Sequence, residues 1–181
     1  MKKIILTAAV MLASICAEAQ HDVGSFSVQP KVGINIADLR DGGDVKARVD
    51  FVGGVEGEYQ ATDIFSFSAG LLYSRQGAKF DGAVDGHYTW SPSYINIPIL
   101  ANVYVVKGLA VKFGVQPGFM VDKDDARDVK TFDFSIPVGV SYEYKNVVLD
   151  ARYNWGLTNV DDIDKPKNSI FQITLGYRFD L

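Results

Sequence analysis

Between Thr131 and Tyr144 the chain reads Thr-Phe-Asp-Phe-Ser-Ile-Pro-Val-Gly-Val-Ser-Tyr-Glu-Tyr. The even positions are Phe132, Phe134, Ile136, Val138, Val140, Tyr142 and Tyr144, all apolar or aromatic; the odd ones include Asp133, Ser135, Gly139, Ser141 and Glu143. Successive side chains of a strand point to opposite faces, so period two means a strand with one continuously greasy face and one polar face. Seven greasy positions in a row, backed by carboxylates, fit a strand with lipid on one side and a polar barrel lumen on the other.

Seven further segments of this kind accompany it. The eight lie at about residues 24–37, 49–60, 64–76, 93–106, 109–121, 131–144, 147–157 and 169–180. Their connectors alternate in length. Short ones are Ala61-Thr62-Asp63, Lys107-Gly108 and Lys145-Asn146; long ones cover about 38–48, 77–92, 122–130 and 158–168. Four long loops, three short turns and both termini at the short-turn end describe an all-β, eight-stranded antiparallel transmembrane β-barrel of the outer-membrane type, with its termini in the periplasm. No helical period competes with this reading.

The start of the chain agrees. Met1-Lys2-Lys3, an apolar run from Ile4 to about Ile15, and Ala17-Glu18-Ala19 form a basic start, a short apolar core and a small-residue cleavage site. Residues 1–19 therefore read as a cleavable signal peptide and residues 20–181 as the barrel domain. Ile15 is too large for a lipobox before Cys16, so the only cysteine leaves with the signal and no disulfide is expected. The whole chain holds 18 Lys+Arg and 22 Asp+Glu; without Lys2, Lys3 and Glu18 it holds 16 and 21, a net charge of −5. That excludes a nucleic-acid partner, which needs a basic footprint.

With strand direction alternating, the lipid-facing aromatics fall at two heights. Phe51, Tyr73, Phe119, Phe132, Trp155 and Phe171 belong to the outer end; Phe26, Tyr59, Phe65, Tyr142, Tyr144 and Phe179 belong to the periplasmic end. Val32, Val55, Ile97, Ile99, Val138 and Leu175 lie between them, and two aromatic girdles around an aliphatic band mark a barrel. A soluble sandwich also alternates, but it does not put charges on its buried side.

The inward face carries Lys31, Glu56, Glu58, Lys112, Asp133, Glu143, Asp150, Arg152 and Arg178. It also carries Gly33, Gly54, Gly70, Gly114, Gly118, Gly139, Gly156 and Gly176. Eight strands enclose only enough room for side chains, and glycines would make room for long charged ones. Charges of nearly equal number imply a paired network, with Lys31–Glu56 expected across the first two strands, and a plugged lumen. Pro30, Pro98, Pro117 and Pro137 fall within strands, where bulges or kinks are expected because a closed barrel has no edge.

Several stretches, in order along the chain, resemble the PorT-like family of small outer-membrane β-barrels. They are Pro30-Lys31-Val32-Gly33-Ile34-Asn35, residues 71–77, Tyr94-Ile95-Asn96-Ile97-Pro98, Lys107-Gly108-Leu109, residues 150–158 and residues 171–179. The ending Gly176-Tyr177-Arg178-Phe179 is similar to the aromatic-x-aromatic signal read by the barrel-insertion machinery, with Tyr177 and Phe179 as its aromatics and two residues following. The resemblance implies fold and location; one member is tied to protein secretion, and most have no assigned activity.

Catalytic chemistry is not expected. His87 lies near Asp85, Ser91 and Ser93, but this spacing does not set a nucleophile beside its base with an oxyanion donor. His21 reads as part of a disordered start. Asp122, Asp124, Asp125 and Asp128, then Asp161, Asp162 and Asp164, crowd two long loops, interleaved with Lys123, Arg127, Lys165 and Lys167. They read as a solvated rim, with a weak divalent-cation site bridging to lipopolysaccharide phosphates as the alternative. No cofactor is expected. The expected role is non-enzymatic, structural or surface-interacting, for a monomer in contact with outer-membrane lipid, lipopolysaccharide, and envelope or host proteins. The alternatives are an accessory part of a secretion or assembly system, or a narrow porin-like channel for small solutes.

Overall fold

The computed structural model describes residues 21–40, 45–46, 48–75, 78–81, 87–90, 93–122, 132–159 and 167–181. The signal peptide reading, with Cys16 and Ala19, lies outside them, as do Asp85, Ser91, Asp124, Asp125, Asp128, Asp161, Asp162 and Asp164.

The strands are β1 (Phe26–Arg40), β2 (Val45–Lys46), β3 (Arg48–Thr62), β4 (Phe65–Arg75), β5 (Ala78–Asp81), β6 (His87–Trp90), β7 (Ser93–Asn96), β8 (Ile99–Val106), β9 (Leu109–Asp122), β10 (Phe132–Tyr144), β11 (Val147–Asn159), β12 (Lys167–Tyr177) and β13 (Phe179–Asp180). All pairings are antiparallel. β1 pairs β3, β3 pairs β4, β4 pairs β7 and β8, both of these pair β9, and the ladder continues through β10 and β11 to β12, which returns to β1. The broken pairs β7/β8 and β12/β13 each act as one barrel strand, so the sheet closes as eight. Closure removes every edge, and with it the unpaired backbone groups that lipid cannot satisfy. Two of the expected long loops contain structure of their own: β2 pairs β5 and β5 pairs β6, with Asp81 opposite His87, so His87 stands in a strand and not in an irregular loop.

Local interruptions of the ladder accompany the prolines, but no bulge does. Register shifts occur at Gln60/Thr62, Ser93/Tyr94, Tyr104/Val106 and Trp155/Asn159, none of them at a proline. Instead the ladder skips a rung beside the proline and resumes in the same register. Between β9 and β10 it steps from Ser135↔Gln116 to Val138↔Phe113, passing Pro137. Pro98 separates β7 from β8, and there Ile97 N–H donates to the Pro117 carbonyl at 2.8 Å. A proline lacks one N–H, which points to one neighbour only. Losing one bond on one side costs less than inserting a residue.

The outer wall is apolar around the barrel. Phe51, Tyr73, Phe119, Phe132, Trp155 and Phe171 are exposed toward the long-loop end, and Phe26, Tyr59, Tyr142, Tyr144 and Phe179 toward the short-turn end. Phe65 is half-buried, edge-on to the exposed Phe67 at 4.7 Å. Val32, Val55, Ile99, Val138 and Leu175 are exposed between the two levels. A greasy surface this continuous is stable only against hydrocarbon.

Inward glycines allow close approach of strands more than they make room for charges. A Cβ on Gly33 would meet the Ile173 carbonyl, one on Gly54 the Leu71 carbonyl and one on Gly114 the Ile99 carbonyl. These are backbone atoms of the adjacent strand, so here the sheet bends inward too tightly for any side chain.

Candidate functional site

The lumen is the candidate site, and it is layered. Alternation sends Lys31 on β1, Glu56 on β3, Lys112 on β9, and Asp150 and Arg152 on β11 inward, and strand tilt brings them to one level. Lys112 Nζ donates to Glu56 Oε1 at 2.9 Å and to Asp150 Oδ2 at 3.1 Å. Arg152 Nε donates to Asp150 Oδ1 at 2.8 Å, and its Nη2 donates to Asp150 Oδ2 at 2.7 Å and to Glu56 Oε2 at 3.1 Å. Lys31 Nζ stands 3.1 Å from Glu56 Oε1 and 3.7 Å from Asp150 Oδ2. All five side chains are buried. Gly139 lies in register between Lys112 and Arg152, where a Cβ would strike the Ala151 carbonyl and the Arg152 Cα. Charges taken out of water are tolerated only with partners of good geometry, and here each carboxylate faces three cations.

A second cluster fills the short-turn end. Glu58 accepts from Tyr104 Oη at 2.5 Å, Ser66 Oγ at 2.7 Å and Gln29 Nε2 at 3.1 Å, and lies 3.6 Å from Arg178 Nη1. Arg178 also donates from Nε to Asp180 Oδ1 at 2.9 Å and from Nη1 to Glu143 Oε2 at 3.4 Å. His21 is part of this cluster rather than disordered. Its Nε2 is 3.2 Å from Glu143 Oε2, and its ring meets Tyr104 edge-on at 6.1 Å. A cavity of about 250 Å³ opens beside it, bounded by Lys107, Asn146 and Asp180. Asp133 sits toward the opposite end of the lumen, opposite Gly118.

That opposite end corrects the expectation of a polar interior throughout. Val52, Leu72, Tyr94, Met120 and Ile170 are buried there, interleaved with the buried polar side chains of Asn35, Ser74, Asn96 and Asn154. Their signal in the sequence is a break in alternation: Leu71-Leu72, Tyr94-Ile95, Phe119-Met120 and Ile170-Phe171 put greasy residues on both faces at once. From the loops inward, the lumen thus presents a level of mixed apolar and uncharged polar side chains, then five interlocked charges, then the Glu58–Arg178 cluster.

Of the other sequence candidates, Ser93 is buried and accepts from Tyr73 Oη at 2.8 Å. Tyr177 and Phe179 lie against each other on the outer wall, their ring centres 4.8 Å apart and their planes tilted by 55°. Among the described residues, no group of three His, Cys, Asp or Glu side chains is arranged to hold a metal.

No curated protein matches the sequence. Solved structures do match in fold. OprG from Pseudomonas aeruginosa is 14% identical with a TM-score of 0.53, the match covering 90% of this chain and 99% of that one. Ail, the attachment invasion locus protein of Yersinia pestis, is 16% identical with a TM-score of 0.53, over 87% of this chain and 100% of that one. Neisserial surface protein A is 15% identical with a TM-score of 0.52, over 85% and 97%. The sequence model of the outer membrane protein beta-barrel domain matches residues 18–162, most of the chain, and the chain belongs to that family.

Proposed function

We propose that this outer-membrane barrel is a non-enzymatic, monomeric protein with a closed lumen, acting through its long loops at the cell surface, with its short turns and both termini in the periplasm. The observation that carries the reading is the five-membered ion cluster. Arg152 from β11 and Glu56 from β3 stand on strands far apart around the ring, yet their atoms are 3.1 Å apart. That contact closes the lumen across its width. Signal-directed export of residues 20–181 and delivery to the insertion machinery through Tyr177 and Phe179 belong to the same reading.

The loops then carry recognition. Ail has been crystallised with the heparin analogue sucrose octasulfate. The present loops interleave aspartates at 122, 124, 125, 128, 161, 162 and 164 with Lys123, Arg127, Lys165 and Lys167, a rim of both signs that suits polar partners and cation-bridged lipopolysaccharide. The ordered resemblance to the PorT-like group supports placing the chain there, where a stable envelope partner on affinity purification would assign it to a secretion assembly.

The test is single-channel conductance in a planar bilayer, on a sample whose heat-modifiable gel shift shows a folded barrel. The expected result is silence. Reproducible steps that vanish or change size in Glu56→Gln would overturn the closed lumen and make the protein a channel.

A further inference from the structure

Four polar atoms able to donate lie on one wall of the lumen without a hydrogen-bond partner among the described residues: Lys31 Nζ, Arg152 Nη1, Gln172 Nε2 and Thr174 Oγ1. None of their residues is more than 2% exposed. They belong to three adjacent strands, β11, β12 and β1, and the register sets them side by side. Arg152 stands opposite Gln172, Asp150 opposite Thr174, Thr174 opposite Gly33, and Lys31 opposite Gly176. Directly opposed side chains on one face of a sheet start about 5 Å apart, and diagonal ones about 7–8 Å apart. Gly33 and Gly176 put no side chain between them.

What these atoms can bind follows from what their neighbours already hold. Arg152 uses Nε and Nη2 on Asp150 and Glu56, which leaves both hydrogens of Nη1. Gln172 Oε1 accepts from Asn154 Nδ2 at 3.4 Å, which leaves the hydrogens of Nε2. Lys31 Nζ is 3.1 Å from Glu56 Oε1 without hydrogen-bond alignment. All four oxygens of Glu56 and Asp150 already accept from Lys112 or Arg152. This level therefore holds three cations against two anions, and hydrogens in excess. Glu58, the next carboxylate toward the short turns, is occupied by Arg178, Tyr104, Ser66 and Gln29. The unpaired acceptors of these strands, Asn35 Oδ1 and Asn154 Oδ1, are uncharged and lie on the loop side. A cationic donor without a partner is costly away from water. A water molecule would accept two of the hydrogens and leave the charge, whereas an anion meets both needs.

We propose that Lys31, Arg152, Gln172 and Thr174 form a buried site for one small monovalent inorganic anion of chloride size. The anion brings this level to three charges of each sign and accepts the unused hydrogens. Larger anions are excluded, because eight strands enclose little more than their own side chains. The site adds a ligand to the charge cluster already described. It needs the geometry of that cluster and not a closed lumen, so conductance, present or absent, does not decide it.

The test uses the barrel refolded into detergent in sodium gluconate, with chloride titrated in at constant ionic strength. It reads the midpoint temperature of the heat-modifiable gel shift. For the wild type the midpoint is expected to rise by about 3–5 °C for each tenfold of chloride beyond half-saturation, since an anion held only by the folded state stabilises it by mass action. Lys31→Arg is expected to keep the rise and Lys31→Met to abolish it. Thr174→Val removes one hydroxyl at nearly constant volume and is expected to move the titration to roughly tenfold higher chloride; it decides the matter should Lys31→Met fail to fold. Crystals soaked in bromide are expected to show one anomalous peak in contact with Lys31 Nζ and Arg152 Nη1. A wild-type midpoint indifferent to chloride would overturn the proposal. So would an equal rise in Lys31→Met, which is a general salt effect, or density without anomalous signal at that place, which is buried water.

Discussion

Glu56→Gln is expected to destabilise the barrel by roughly 3–5 kcal/mol in urea unfolding from lipid vesicles, the cost of removing one partner from a buried ion pair. The carboxylate meets Lys112 at 2.9 Å, Lys31 at 3.1 Å and Arg152 at 3.1 Å, none of them in reach of bulk water. Without it, three cations share Asp150 alone, and their mutual repulsion is unscreened in a narrow lumen. Lys31→Met is expected to do the opposite or nothing, within about 1 kcal/mol of wild type, since replacing a buried charge by an apolar residue of similar volume is often neutral. The asymmetry follows from the inventory. Lys31, Lys112 and Arg152 oppose only Glu56 and Asp150, so Lys31 is the surplus cation, and its ammonium is close to both carboxylates without a well-formed hydrogen bond to either. The double variant Glu56→Gln/Lys31→Met should then recover part of the loss. Equal destabilisation by the two single variants would show that the charges are held by packing and not by their balance.

Gly54→Ala is expected to cost about 1–3 kcal/mol or more and to lower the yield of heat-modifiable, folded barrel, whereas Gly53→Ala is expected to be nearly silent, within ~0.5 kcal/mol. The residues are neighbours in sequence and differ by one methyl from their variants. At Gly54 the new Cβ would strike the Leu71 carbonyl and come within 2.8 Å of the Leu72 Cα, both backbone atoms of β4 that cannot move without parting the ladder. At Gly53 the nearest atom is the tip of the Phe51 ring, which can swing into the surrounding lipid. If Gly54→Ala folds as readily as Gly53→Ala, the inward bend at this point is softer than the geometry implies.

The same pair of glycines shows how far the sequence reading reached. Gly54 was legible as inward and Gly53 as outward, because alternation fixes the face of every residue once one is assigned. The reason Gly54 must be a glycine was not legible. It lies in the approach of β4, which depends on barrel curvature. His21 is a similar case. Nothing near it in sequence distinguishes it from a disordered start, and its partner, Glu143, is 122 residues away. The buried apolar residues near the loops left a trace, in paired greasy residues such as Leu71-Leu72 and Phe119-Met120, but the trace interrupts the very alternation by which the strands are recognised.

Local geometry and the solvent of each face are written in the chain itself: strands of period two, hairpins joined by short and long connectors, and a greasy side too continuous for water. Those properties depend on residues two to ten positions apart, and the chain writes them out in order. Asp150 beside Arg152 belongs to this class, being two residues apart on one face of one strand. The tertiary structure alone decided which inward charges meet. Glu56 reaches Arg152 across 96 residues because strand tilt and ring closure set both at one height, and the strength of a buried ion pair depends on that height to a fraction of an ångström.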